Sequence, residues 1–109
     1  MRCERGRSGR GLLFQIEFTP EAVDDLRLLR KFDRRQIVAA IESQLPTQAT
    51  QETRNRKRLR PNQLAEWELR VGDFRVFYDV DPEPAVVKIE AVGYKQGSNL
   101  FVHGEEYEL

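Results

Sequence analysis

Apolar and polar residues alternate on both sides of Gly72-Asp73, through Trp67-Glu68-Leu69-Arg70-Val71 and Phe74-Arg75-Val76-Phe77-Tyr78-Asp79. A short glycine-containing pair between two alternating runs predicts a β-hairpin with a two-residue loop. That loop sets Val71 opposite Phe74, Leu69 opposite Val76 and Trp67 opposite Tyr78. These six share one face, because side chains alternate along a strand. The other face carries Glu66, Glu68, Arg70, Arg75, Phe77 and Asp79, with Arg70 directly across from Arg75. Like charges placed opposite each other cost stability. One face therefore builds a core, and the other has the character of a surface that meets an anion.

The remaining pattern supplies the partners for that core. Leu12 to Phe18 alternates as a first strand. Thr19-Pro20-Glu21 then opens a helix: threonine caps, proline suits the first helical position, and glutamate favours the positive end of the dipole. Ala22, Val23, Leu26, Leu29 and Phe32 form its apolar stripe. Asp33 with Gln36 reads as a second capping pair. The helix that follows turns Ile37, Val38, Ala40, Ile41 and Leu45 inward and stops at Pro46. Residues 46–55 read as a polar loop. Asp81-Pro82-Glu83-Pro84 turns the chain into a strand from Ala85 to Val92. If Val80 pairs with Ala85, Ile89 meets Val76 and Glu90 meets Arg75. The tail from Gly93 to His103 is expected to turn back over the sheet. The order β-α-α-β-β-β predicts an α+β fold: an N-terminal strand, a two-helix hairpin, then a three-stranded antiparallel meander packed on the helices. The far side of the sheet is expected to stay partly open.

Composition narrows the class. A chain of 109 residues supports one domain and one core. The single cysteine, Cys3, excludes an internal disulfide and a cysteine-built metal site, and one histidine makes structural zinc improbable. These features favour a reducing compartment such as the cytoplasm. The formal charge is zero, from 18 basic and 18 acidic residues, but it is uneven. Residues 1–10 hold Arg2, Arg5, Arg7 and Arg10 against Glu4; taking these away leaves 14 basic and 17 acidic residues. Affinity for nucleic acid must then come from a local patch. Residues 1–11 read as a flexible basic leader ahead of a domain at 12–109. They lack the apolar stretch of a signal peptide and are too polar to cross a membrane. Their functional alternative is a basic arm gripping nucleic acid.

The densest positive run is Arg54, Arg56, Lys57, Arg58 and Arg60. Charge runs are usually solvated edges, but this one leads directly into the hairpin with its opposed arginines. No glycine-rich phosphate loop is present, and Ser8, Ser43 and Ser98 lack a nucleophile context. Asp24-Asp25 reads as part of a solvated helix face, because neighbours on a helix point about 100° apart.

The sequence as a whole resembles the RelE/ParE toxin superfamily over about residues 14–103. The resemblance rests on Phe18-Thr19-Pro20-Glu21-Ala22 opening two helices, on Lys57-Arg58-Leu59, on the segment from Trp67 to Asp79, and on Ile89-Glu90-Ala91-Val92-Gly93. It implies the toxin of a bacterial type II toxin–antitoxin module, held by a cognate antitoxin in a hetero-oligomer. RelE-like members cut mRNA in the ribosomal A site without metal or cofactor; ParE-like members inhibit DNA gyrase. Metal-free RNA cleavage needs a base, a cation for the scissile phosphate and an acid for the leaving oxygen. The resemblance implies the phosphate role for Arg75 and places Lys95 where RelE-like toxins carry another catalytic arginine. Arg54, Arg56, Lys57, Arg58, Arg60 and Arg70 are candidates to hold RNA phosphates, and Phe77 and Phe101 to stack on bases. The chain departs from the RelE pattern at Glu66 and Glu68, which stand where lysines are expected, and at Phe101, in place of a tyrosine. Some relatives use a glutamate base with a C-terminal histidine, so Glu66 or Glu68 with His103 forms a substitute set. Glu68 equally fits as a salt-bridge partner of Arg70 and Arg75. A catalytically silent binding protein and a non-toxic RNA-binding module are the other readings.

Overall fold

The computed structural model describes residues 13–108; the expected leader at 1–11 lies outside them. Strand β1 (Gln15–Phe18) is followed by helices α1 (Pro20–Arg27) and α2 (Lys31–Gln48). The strands β2 (Arg56–Arg58), β3 (Trp67–Val71), β4 (Phe74–Asp81), β5 (Val86–Gln96), β6 (Asn99–Val102) and β7 (Glu105–Tyr107) complete one sheet in sequential antiparallel order. β1 joins it in parallel, pairing with the first half of β5, while β6 pairs with the last part of that strand. The α+β fold with both helices is as expected, and the sheet is larger than the predicted meander. Among the described residues no helix is long and apolar enough to cross a membrane.

The α1 start follows the sequence signals. The Ala22 amide donates to Thr19 Oγ1 at 3.1 Å, with Pro20 in the first turn. α2 does not begin at the Asp33–Gln36 pair. It starts at Lys31 with no side-chain cap, and Asp33 sits in its first turn, paired with Arg30 at 3.3 Å. Phe32 thereby falls outside the α1 stripe and is 67% exposed. Pro46 does not end α2 either. It sits in the last turn, and its carbonyl accepts the Phe14 amide at 2.8 Å, tying the helix to β1. The main core joins Ala22, Leu26, Ile37, Ile41 and Leu45 to the hairpin face of Trp67, Leu69, Val76 and Tyr78. Trp67 stacks on Tyr78 with ring centroids 6.2 Å apart. The Tyr78 hydroxyl donates to Ala49 O at 2.7 Å, and burial raises its pKa well beyond the usual phenol range.

The hairpin register is the expected one, Val71 opposite Phe74 and Trp67 opposite Tyr78. Gly72 takes φ +60 at the first central position, as a type II′ turn requires. The β4–β5 register differs from expectation. Val80 pairs with Val87 and Arg75 with Gly93, and a bulge opposite Phe77-Tyr78 leaves Glu90 unpaired. The cause is a four-residue connection at 82–85, with Ala85 at φ +57, and one extra residue in the bulge. The tail does not fold over the sheet but extends it. A two-residue turn with both positions left-handed (His103 φ +56, Gly104 φ +80) joins β6 to β7. The far face is also less open than expected. Phe77, Ala91, Leu100, Val102 and Ala65 form a second small core there, closed by Leu59, Leu64 and Tyr107.

Two outcomes follow for stability. A Cβ on Gly93 would collide with the Phe101 carbonyl oxygen and lie 2.7 Å from Val102 Cγ2. Gly93→Ala should therefore lower stability by about 1–3 kcal/mol, the usual cost of overpacking, read as a reduced urea midpoint. Glu90 is pushed up to about 7 from 4.5 by burial first, then by its hydrogen bond and proximity to Asp79. Its folded-state pKa is raised, so its contribution is fully present below pH 4.5 and lost as pH rises through about 7. Glu90→Gln should match the parent at acid pH and exceed it at pH 8 in a melting series; parallel pH curves would refute this.

Candidate functional site

The face turned away from the helices carries most of the charged candidate residues of the hairpin. Because β3 and β4 pair in the expected register, Arg70 stands opposite Arg75 and Glu68 opposite Phe77. β2 adds Lys57 beside Glu68, and β5 sets Gly93 beside Arg75. Lys95, two residues beyond Gly93, projects from the same side of the pleat. The repulsion between the arginines is met by Glu68, whose Oε2 lies 3.6 Å from Arg70 Nε and 4.0 Å from Arg75 Nε. The Glu68 side chain is 8% exposed, Arg75 12% and Arg70 46%. The carboxylate is thus sunk between one anchored and one accessible guanidinium.

Arg75 is held rather than free. One terminal nitrogen donates to the Gly72 and Phe74 carbonyls, each at 2.9 Å. Its Nε is buried with no hydrogen-bond partner. An unmatched buried donor costs about 1–3 kcal/mol, so this guanidinium is positioned but incompletely satisfied. A fixed, under-coordinated cation next to an exposed one can grip an oxyanion, since the fork of arginine matches phosphate geometry.

Several predicted contacts are absent. Phe77 is fully buried in the second core and presents no ring face to a base. Arg56 is 4% exposed; it reaches Gln44, Gln48 Oε1 at 3.0 Å and Gln51 O at 3.1 Å. It faces Leu69 across β2–β3, on the helix side, and acts as a structural cation joining α2 to β2. Arg58 lies over the Trp67 ring at 6.0 Å, also on the helix side. Arg54, Lys57, Arg58 and Arg60 remain exposed along the edge. Glu66 lies one repeat before Glu68, and its Oε1 accepts the Val80 amide at 3.5 Å.

Phe101 and His103 do not join this group. Phe101 pairs with Tyr94 and stacks on it at 5.4 Å, on the opposite side of the pleat from Lys95 and Leu100. His103 Nδ1 lies 2.9 Å from Asp25 Oδ1 on α1. The set of His103 with Glu66 or Glu68 is therefore not assembled: a sheet separates them. Asp25, read from the sequence as solvated, is a buried anchor that also accepts the Val92 amide at 3.0 Å. Its place was visible in the helical period: Ala22, Asp25, Leu26 and Leu29 fall at i, i+3, i+4 and i+7.

These features can be set beside known proteins. A family profile described as the ParE toxin of the type II toxin–antitoxin system parDE matches residues 16–97. No curated protein matches the chain. Among solved structures, the fold is similar to that in the toxin–antitoxin complex RelBE2 from Mycobacterium tuberculosis. There the TM-score is 0.69 at 24% identity, covering 81% of this chain and 98% of the other. The archaeal RelE–RelB complex from Pyrococcus horikoshii gives 0.63 at 20% identity, covering 79% and 98%. With the profile spanning most of its length, the chain belongs to the ParE toxin family of type II toxin–antitoxin systems, within the RelE/ParE superfamily.

Proposed function

We propose that this toxin inhibits translation by cutting mRNA on the ribosome, without a metal ion, and that a cognate antitoxin holds it in check. The observation that carries the proposal is the carboxylate of Glu68 set between Arg70 and Arg75 on the open face of the hairpin. In this reading Glu68 takes the proton from a 2′-hydroxyl. The 2′-oxygen attacks the adjacent phosphorus, and the bond to the 5′-oxygen breaks. Arg75, with Arg70, stabilises the charge that builds on the phosphate oxygens. Lys95, on the same face, supplies the proton to the departing 5′-oxygen. Exposed Arg54, Lys57, Arg58 and Arg60 hold flanking phosphates, while Phe101, turned to the opposite face of the sheet, takes no part. Glu66 and His103 take no part in proton transfer. The antitoxin covers the same cations with acidic residues, giving a hetero-oligomer in the cytoplasm.

The family profile itself favours a second reading, inhibition of DNA gyrase, because its description is that of a ParE toxin. The two separate in one experiment. The protein is expressed without antitoxin, and mRNA ends on translating ribosomes are mapped while plasmid supercoiling is followed. Cleavage within codons supports the nuclease. Growth arrest with intact mRNA and failed supercoiling supports gyrase as the target.

The nuclease reading makes a paired prediction. Arg75→Ala should lower cleavage by about 10²–10³-fold, as loss of one transition-state donor does. Glu68→Gln should lower it by a similar factor, yet tighten binding to single-stranded RNA, because a negative charge beside two arginines is gone. Weaker RNA binding by Glu68→Gln would contradict the assignment.

A further inference from the structure

The face that bears the arginines changes sign along its length. At the end remote from the Gly72-Asp73 turn, Glu17 pairs with Lys88 and Lys88 with Asp79 across β1, β5 and β4. Glu66 lies beside Asp79, which accepts the Glu66 amide at 2.8 Å. Together with the segment at 58–65 these residues border a cleft of about 920 Å³, into which Asp81 and Glu90 also project their surface. Five carboxylates thus line it against the basic residues Arg58, Arg60 and Lys88. Arg58 is turned toward the Trp67 ring. Among the described residues none of the five carboxylates has a basic nitrogen within 4.0 Å. Asp79 instead lies near Glu90, and burial together with this second acid pushes the Glu90 carboxyl up. Acids gathered along one cleft, with no paired cation among the described residues, attract a basic partner.

We propose that this cleft is the docking site of the chain's own arginine-bearing N-terminal segment, residues 1–11. Three observations select that occupant. The segment carries Arg2, Arg5, Arg7 and Arg10 against Glu4, whereas the rest of the chain is net acidic. It joins the fold at the rim of the cleft: the Gln15 amide donates to Ala85 O at 2.8 Å, Gln15 pairs with Val86, and Val86 and Pro84 line the cleft. Eleven residues reach at most about 3.3–3.6 Å each, several times the separation of strands crossed by the Glu17–Lys88–Asp79 row. Being tethered, the segment meets the carboxylates at a high effective concentration and needs little intrinsic affinity. Its guanidiniums can take both oxygens of a carboxylate and offset the negative charge gathered there.

Cys3 is the only cysteine in the sequence, so a nitroxide can be attached to it in the full chain without mutation. Amide relaxation is then compared with that of the diamagnetic form. At low salt the amides of Glu66, Val80 and Lys88 should lose more than half their intensity, while those of Ile37 and Ile41 keep theirs. At high salt the loss should fall away, since screening shortens to about 3 Å at 1 M. Replacing Arg2, Arg5, Arg7 and Arg10 by glutamine should abolish the effect, and Asp79→Asn with Glu90→Gln should weaken it. Broadening spread evenly over the surface, centred on another face, or unchanged by salt and by the arginine replacements would overturn the proposal.

Discussion

The two-residue turn at Gly72-Asp73 fixes how β3 lies against β4, and every other feature takes its place from that register. A slip of one residue would exchange the two faces of a strand. Either Trp67 and Leu69 or Val76 and Tyr78 would leave the helices, and Arg70 would no longer confront Arg75. Glycine meets the demand because it adopts the left-handed conformation at no steric cost. The main core then locks the choice, since the same side chains seat the fully buried Ile37, Ile41 and Leu45 of α2.

Fixing the core also forces two arginines together on the opposite face, where Glu68 offsets their repulsion. The same carboxylate that stabilises the fold limits how strongly the arginines attract an anion. Arg75 is further restrained by the carbonyls of its own turn, and Gly93 opposite it leaves room where a side chain would crowd the β6 backbone. The result is a small charged cluster of fixed geometry, the kind that favours charge developing in a transition state over binding of a mobile substrate. Across the second core the same face becomes acidic, so it presents opposite signs at its two ends.

Much of this could be read from the sequence where local chemistry decides. The hairpin, its register, the Thr19 cap and the apolar stripe of α2 follow from alternation, period and capping alone. What could not be read depends on competition between elements. The β4–β5 register rests on a bulge and on a left-handed Ala85, which pattern does not announce. Pro46 is accommodated because it lies in the last turn and its carbonyl is used by Phe14. The placement of Arg56 required knowing that Gln44 and Gln48 would stand opposite β2. Among the site residues, the Arg70–Arg75 pair and the intervening Glu68 were legible. The separation of His103 and Phe101 from them was not, because it depends on the tail continuing the sheet through β6 and β7. Phe77 had the alternation of an exposed residue, but the segment at 59–65 covers it.

The central claim is that Arg70 and Arg75, held around Glu68, form the anion-binding centre of this toxin. The most direct measurement is an NMR titration of the arginine Nε–Hε signals with a short single-stranded RNA. The account predicts that the Arg70 and Arg75 signals shift first and furthest, with the exposed cations Arg54 and Arg60 following. Unchanged Arg70 and Arg75 signals, with the response confined to Arg34 and Arg35 on α2, would contradict it.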